Sequence, residues 1–367
     1  MAITENIKIF SDNINKDAYE SFVLGIDIGG TSTNIGVAGV KDKKTQLLFS
    51  QNFDTLKLVS IIPVINSTLD IAFRNYGIKV DFACIGAAGF VSSKTGYVDL
   101  TNISWKVDRN EILQKTSLQD LFIINDFEAI GYGINFLNHE NSEDIKVIRN
   151  NSKSFETPSK TRVILGAGTG LGKSILVYDK TLDLHVPIPS EGGHADFPYA
   201  SDFEKQLVEF IKKSRNIQQP ITYEEILSGR GIVSIYLFLR EVNANTSTLY
   251  SEEIENTYDK ASLISKYRNH DETCKTTFDL FTRFYARCAK NFVLDTLAVG
   301  GIYLAGGIAA KNSDIFSNKI FLSEFENAYH RTDMLKDTPI YVIMNYDVSL
   351  YGACFAAMYK GFTKKTK

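Results

Sequence analysis

Cysteine is scarce in this chain: four in 367 residues, scattered as Cys84, Cys274, Cys288 and Cys354. No CxxC or Cys/His spacing points to a structural metal, and a chain of this length does not need disulfide staples. Reduced thiols in a cytoplasm are the expectation. Charge of one sign is also missing. The formal net charge is −3 and no basic block precedes the short tail KKTK, which argues against a nucleic-acid partner. No apolar run reaches membrane-spanning length. The opening MAITENIKIFSDNINK lacks the basic start and continuous apolar core of a secretory signal. What remains is an ordinary soluble composition, 44% hydrophobic and 23% charged, in a chain too long for one core, so two domains are expected.

Strand-like apolar runs recur: FVLGIDI, QLLFSQNF, DFACIGAAG, LFIIND, RVILGAG, SILVYD, GIYLAGG and PIYVIMN. Helix-length stretches lie between them, such as SIIPVINSTLDIAFRNYG and the run from YEEILSG to LFLREV. Strands alternating with helices imply an α/β architecture, whose chemistry gathers beyond the carboxyl ends of the strands. Residues 1 to about 20 read as a loose extension, and the polar stretches 138–160 and 251–274 as surface excursions.

The most informative segment is GIDIGGTSTNIGVAGV, Gly25 to Val40. An apolar strand stops at a Gly pair, Thr and Ser follow, and a second strand-like run returns. Such a turn leaves N–H groups and hydroxyls uncovered for a phosphate. A second turn, GAGTGLG from Gly166 to Gly172, also follows an apolar run. Two phosphate-sized cradles suggest a nucleotide held between two halves. AGTGLGKS nearly satisfies the P-loop pattern, but that pattern needs a helix at the Lys, and KSILVYD is β-branched and aromatic like a strand. A dinucleotide fingerprint after GIDIGGT fails for the same reason.

LFIINDFEAIGYGI places Asn125 and Asp126 directly after a buried-looking strand. There Asp126 points a carboxylate into a crevice, caps the following helix, or does both. SEGGHADF gathers Glu191, two glycines, His194 and Asp196 in one short loop, with oxygen and imidazole partners suited to sugar hydroxyls. A metal site is disfavoured because no helical spacing aims two ligands together and no further Cys or His joins them. Glu224 and Glu225 in YEEILSG read most simply as first-turn carboxylates. The Gly pair of LAGGIAAKN either admits a flat base against backbone or makes a tight turn; both readings stay open.

Taken in order, GIDIGGT, IINDF, GAGTGLG, EGGHADF, YEEILSG and LAGGI resemble the bacterial-type ATP-dependent glucokinases, within the hexokinase, actin and Hsp70 ATPase superfamily. TNISW at Thr101 to Trp105 also fits, and the similarity runs from about residue 22 to residue 360. It implies a two-lobed, actin-like ATPase (ribonuclease H-like) α/β fold with a central cleft. The implied divisions are an extension over 1–21, a small α/β domain over 22–136 plus about 346–367, and a large α/β domain over 137–345. The resemblance puts Asp27, Gly29, Gly30 and Thr31 in the first phosphate loop, with Asp27 near Mg²⁺ through water. Gly168, Thr169 and Gly170 fall in the second loop, and Gly306 and Gly307 face the adenosine. Asn125, Asp126, Glu191, His194 and Glu224 are implied to hold glucose, with Asp126 as general base for the 6-hydroxyl. The related ROK kinases carry a Cys-rich zinc motif after their EGGH-like loop; DFPYASDF has no Cys, which favours the zinc-free branch.

The expected reaction is therefore phosphorylation of glucose by ATP to glucose 6-phosphate and ADP. The expected partners are glucose and ATP, with no nucleic acid and no membrane. A homodimer is implied by the resemblance alone. The alternatives are a kinase for another hexose or amino sugar, a non-catalytic sugar sensor, and an ATPase acting on proteins. About 20 residues before the first strand are too few for a DNA-binding module, and a protein-directed ATPase has no reason to keep EGGHADF.

Overall fold

Apolar runs that stop at glycine or at a polar residue become strands, and their contacts divide the chain into two units. The computed structural model describes residues 6–11, 14–89, 91–92, 97–98, 105–150, 161–181, 183–242 and 248–365. Unit 1 comprises Met1–Leu137, Asp179–Pro189 and Asn345–Lys367; unit 2 comprises Asn138–Tyr178 and Ser190–Met344. Of TNISW only Trp105 lies within the described residues; its ring is buried.

Unit 1 is built on a sheet of β1 (Asn6–Ile9), β2 (Ser21–Ile28), β3 (Ser32–Lys41), β4 (Lys44–Asp54), β5 (Phe82–Ala87) and β6 (Asp120–Asn125). The strand order is β1-β4-β3-β2-β5-β6. β1 to β4 pair antiparallel with one another, whereas β5 and β6 run parallel to β2. Every residue of β5 is buried, as expected for a parallel strand covered on both faces. Helix α1 (Ile62–Tyr76) lies on one core, with its buried face at Val64, Ile65, Thr68, Leu69 and Ala72. Its end is fixed by Gly77 in the left-handed conformation, φ 64°. Helix α2 (Asp126–Gly133) and the C-terminal helix Val348–Lys365 line a second core with Val23, Cys84 and Phe355.

The start of the chain departs from the loose extension expected of it. Asn6–Ile9 adds a strand to the edge of β4, and Lys8 pairs with Asp347 at 2.7 Å. Alternation in NIKI is too short to register as a strand against polar flanks, so only the waiting edge of β4 reveals it. Asp179–Pro189, inside the stretch 137–345, packs with unit 1, where Leu184 and Val186 join the second core.

Unit 2 holds β7 (Ile145–Arg149), β8 (Arg162–Ala167), β9 (Leu171–Asp179), β10 (Ile302–Ala305) and β11 (Ile340–Ile343), in the order β7-β11-β10-β8-β9. β8 and β9 form an antiparallel hairpin, and β10 and β11 lie parallel to β8. The helices are α3 (Asp202–Arg215), α4 (Tyr223–Ile226), α5 (Gly229–Val242), α6 (Leu249–Glu255), α7 (Lys260–Tyr267), α8 (Glu272–Thr296), α9 (Gly306–Lys311), α10 (Lys319–Glu326) and α11 (Thr332–Asp337). Thus the polar stretch 251–274 is largely helical. Ile254, Ile264, Tyr267 and Cys274 supply its few buried core residues, too sparse for a periodic signal. Each unit repeats one scheme: a hairpin with a Gly-rich bend, then parallel strands beside its first arm.

Unit 2 also buries a charged fork. Arg287 on α8 donates to both carboxylate oxygens of Glu204, at 2.7 and 3.0 Å, and to Glu324 at 3.1 Å. Burial, the largest single influence, pushes Glu204 up, but the hydrogen bonds from Arg287 and from Ala200 N–H, with the charges of Arg287 and Arg283, together hold the carboxyl below its usual range. A depressed folded-state value stabilises above the unfolded carboxylate range and loses that contribution as pH falls through the folded value. Arg287→Met leaves Glu204 charged and unpaired, and the expected cost is about 3–5 kcal/mol at pH 7. The deficit should shrink on acidification as Glu204 takes a proton. Urea midpoints at neutral and acid pH check this; equal midpoints for both proteins at pH 7 count against it.

Candidate active site

In unit 1 the parallel strands bring two sequence-predicted carboxylates to one end of the sheet. Asp27 pairs with Gly86 of β5, and the next residue of β5, Ala87, pairs with Asn125 of β6. Asn125 caps α2, its side chain accepting from the Phe127 N–H at 2.8 Å, and Asp126 is the first helical residue. The Asp126 carboxylate also accepts from Phe127 N–H, at 3.0 Å. Of the two residues, Asn125 is therefore the cap, and Asp126 stands in the first turn, where the helix end favours negative charge.

The first Gly turn, Gly29 to Thr31, joins β2 to β3 and is braced from beneath. Gly29 N–H donates to the Ser32 carbonyl at 2.9 Å, and the Thr55 hydroxyl donates to the Gly29 carbonyl at 2.9 Å. Thr55 N–H donates to the Thr31 carbonyl at 3.0 Å. Asp27 accepts from Ser349 Oγ at 2.8 Å. Burial raises its pKa, opposed by the hydrogen bonds of Ser349 and Asn34. Among the described residues no three His, Cys, Asp or Glu side chains stand together as a metal cage. One half-buried carboxylate beside a phosphate-sized turn fits Mg²⁺, which keeps several waters and takes further oxygens from phosphate.

In unit 2 four predicted segments converge. The bend Gly168–Gly170 closes the β8–β9 hairpin, with Gly168 N–H donating to Gly170 carbonyl at 2.8 Å. Gly229 N–H donates to the Gly168 carbonyl at 3.0 Å, which ties the end of YEEILSG to the bend. The Glu224 carboxylate accepts from Leu171 N–H at 3.0 Å and from Arg230 at 3.2 Å. It lies so close to Gly170 that a β-carbon there would stand 2.4 Å from its oxygen. Gly306 opens α9 at φ 88°, where a β-carbon would sit 2.6 Å from the Ala167 carbonyl. By contrast, space is open beside Gly30, Gly168 and Gly307, so backbone is accessible at all three.

The loop SEGGHADF folds as a single 3₁₀ turn, Gly192–His194. Gly193 abuts Leu171: a β-carbon on it would be 2.0 Å from the Leu171 carbonyl. Tyr223 N–H donates to the Ala195 carbonyl at 2.9 Å, and Phe197 N–H to the Ile221 carbonyl at 2.8 Å. Glu191 and His194 therefore join the segment that carries Glu224. Their side chains are 3.7 Å apart and about two-thirds exposed, at 67% and 62%, which leaves them accessible to a polar ligand. Thr169 sits in the same bend as Gly168 and Gly170. Sequence reasoning missed Arg230, which holds Glu224, and Ser349, which holds Asp27. Neither belongs to a short motif, and Ser349 is 322 residues from its partner.

Comparison with known proteins identifies the family. The family model described as Glucokinase matches residues 24–360. A glucokinase from Nostoc punctiforme is 31% identical over 351 residues, covering 92% of this chain and 99% of that protein. The glucokinase from Balamuthia mandrillaris solved in complex with glucose superposes with a TM-score of 0.76 at 23% identity, covering 92% and 93% of the two chains. A ROK family glucokinase from Streptomyces griseus, solved with glucose and AMPPNP, gives 0.58 at 18% identity, covering 92% and 100%. The fold is that of the actin-like ATPases, and the matched family is one of sugar kinases. The chain belongs to the glucokinase family.

Proposed function

We propose that Asp126 is the general base in the phosphorylation of glucose by ATP, the reaction of the glucokinase family. The observation that carries this is its position, in the first turn of α2 at the carboxyl end of β6, with Asn125 already serving as cap. A sugar hydroxyl is a weak nucleophile, and the triphosphate's charge repels an anion. Catalysis therefore rests on positioning and charge neutralisation. Asp126 accepts the proton of the 6-hydroxyl as its oxygen attacks the γ-phosphorus and the bond to the β-phosphate oxygen breaks, leaving ADP. Beyond the Gly29 and Gly168 N–H groups, which close the turns themselves, the turns at Gly29–Thr31 and Gly168–Gly170 offer backbone N–H groups to the phosphates, and Gly306 and Gly307 offer backbone to the adenosine. Mg²⁺, held near Asp27 through water, would neutralise phosphate charge. Asn125, Glu191, His194 and Glu224 hold the remaining sugar hydroxyls.

Sites built to pair with a hydroxyl reject analogues lacking it by about 10⁴–10⁵-fold. ADP release measured with glucose, mannose, fructose, galactose and N-acetylglucosamine tests the reading. Glucose is expected to give the highest kcat/KM. A different sugar in first place, or ADP release indifferent to every sugar, overturns it. No described helix is long and apolar enough to cross a membrane, and all four cysteines are free and buried. Reduced thiols suit the cytoplasm, where we place the enzyme; the homodimer rests on the resemblance alone.

A further inference from the structure

Lys173 follows the second Gly bend on β9 and is only 6% exposed. None of the ion pairs among the described residues includes it. A buried ammonium without a carboxylate needs another source of stabilisation, and two aromatic faces supply it. Its Nζ lies 4.8 Å from the centroid of Tyr223 and 5.0 Å from that of Phe292, within the range of a cation–π contact strengthened by desolvation. Lys173 also hydrogen-bonds the Cys288 thiol, which burial pushes up to about 11 even with Lys173 beside it. That thiol is neutral at physiological pH and provides no counter-charge.

The same side chain runs beneath the loop of Glu191 and His194. A β-carbon on Gly192 would stand 3.0 Å from Lys173 Cδ and 3.5 Å from Nζ. Tyr223, one of the two rings, directly precedes Glu224 and is itself fixed by Asn291, which donates to its hydroxyl at 2.8 Å. One cation therefore touches both segments that carry the unit 2 sugar residues. We infer that Lys173 is a positioning residue for sugar recognition, seating the Gly192 turn against Tyr223 so that Glu191, His194 and Glu224 keep a fixed spacing. This rests on the assignment of those three residues to glucose.

The test compares Lys173→Met, which keeps the chain length and loses the charge, with Lys173→Arg, which keeps the charge. KM for glucose, KM for ATP and the melting temperature are read on the full chain, with Glu191→Gln alongside. The expected result is a rise of roughly tenfold or more in glucose KM for Lys173→Met, since small misplacements of binding groups are costly. ATP KM should stay within about twofold, and Lys173→Arg should recover most of the glucose KM. Loss of ATP binding in Lys173→Met would make it a phosphate-binding lysine and overturn the inference. So would a lowered melting temperature with both KM values unchanged. If Glu191→Gln raises glucose KM and Lys173→Met does not, the inference fails while the sugar assignment stands. If neither variant moves glucose KM, the sugar assignment fails and takes the inference with it.

Discussion

Asp126→Asn is expected to lower kcat by about 10²–10⁴-fold, the usual contribution of a placed general base, while ATP affinity stays near that of the parent enzyme. The structure makes this substitution unusually clean. Phe127 N–H receives its cap from Asn125 at 2.8 Å as well as from Asp126 at 3.0 Å. An amide oxygen at position 126 keeps the second of these bonds, so α2 loses no cap and the melting temperature should hardly move. What is lost is the ability to take a proton, together with a negative charge at the helix end worth about 0.3–1 kcal/mol. Asn125→Ala gives the complementary result, removing the cap at a cost of about 1 kcal/mol and one proposed sugar contact while the base remains. A coupled assay for ADP with saturating glucose, together with nucleotide binding by calorimetry, separates the outcomes. A turnover for Asp126→Asn within a fewfold of the parent would remove Asp126 from the chemistry.

Much of this was legible in the order of residues because the signal is local. An apolar strand ending in Gly-Gly, Asn-Asp or Gly-Ala-Gly marks its own carboxyl end, and β2, β6 and β8 end as those segments imply. KSILVYD is separable from a P-loop helix by its β-branched and aromatic residues, and it forms β9. What the sequence could not disclose is set by partners far along the chain. β1 is a strand only because β4 offers an edge. Glu224 reads as a first-turn carboxylate, which it is, but it is held by Leu171 N–H and Arg230, in space that only a glycine at position 170 leaves open. Lys173 looked like a motif residue and is a buried cation between two rings. Its partners, Tyr223 and Phe292, are 50 and 119 positions downstream.

The second large effect is structural and reaches the base through the backbone. The C-terminal helix crosses α2 at glycines on both sides. A β-carbon on Gly352 would lie 1.8 Å from the Ala129 carbonyl and 2.7 Å from Gly133 N, and one on Gly133 would lie 2.0 Å from the Val348 carbonyl. The obstructing atoms are backbone, so no rotamer change relieves the overlap and the helices must part. Overpacking in a core costs about 1–3 kcal/mol and occasionally more, and Gly352→Ala should fall at or above the upper end. Because Asp126 begins the helix that is pushed, activity should fall beyond what the unfolded fraction explains; a displacement of about 1 Å at a reacting group can cost 10²-fold. Gly30→Ala is the control for the methyl group itself, since nothing lies within 4 Å of a β-carbon there. Its melting temperature should match the parent's even if nucleotide binding suffers. Thermal unfolding of the two variants side by side decides the matter: an unchanged melting temperature for Gly352→Ala would mean the two helices have slack that this packing denies them, and the rigid seating of Asp126 would go with it.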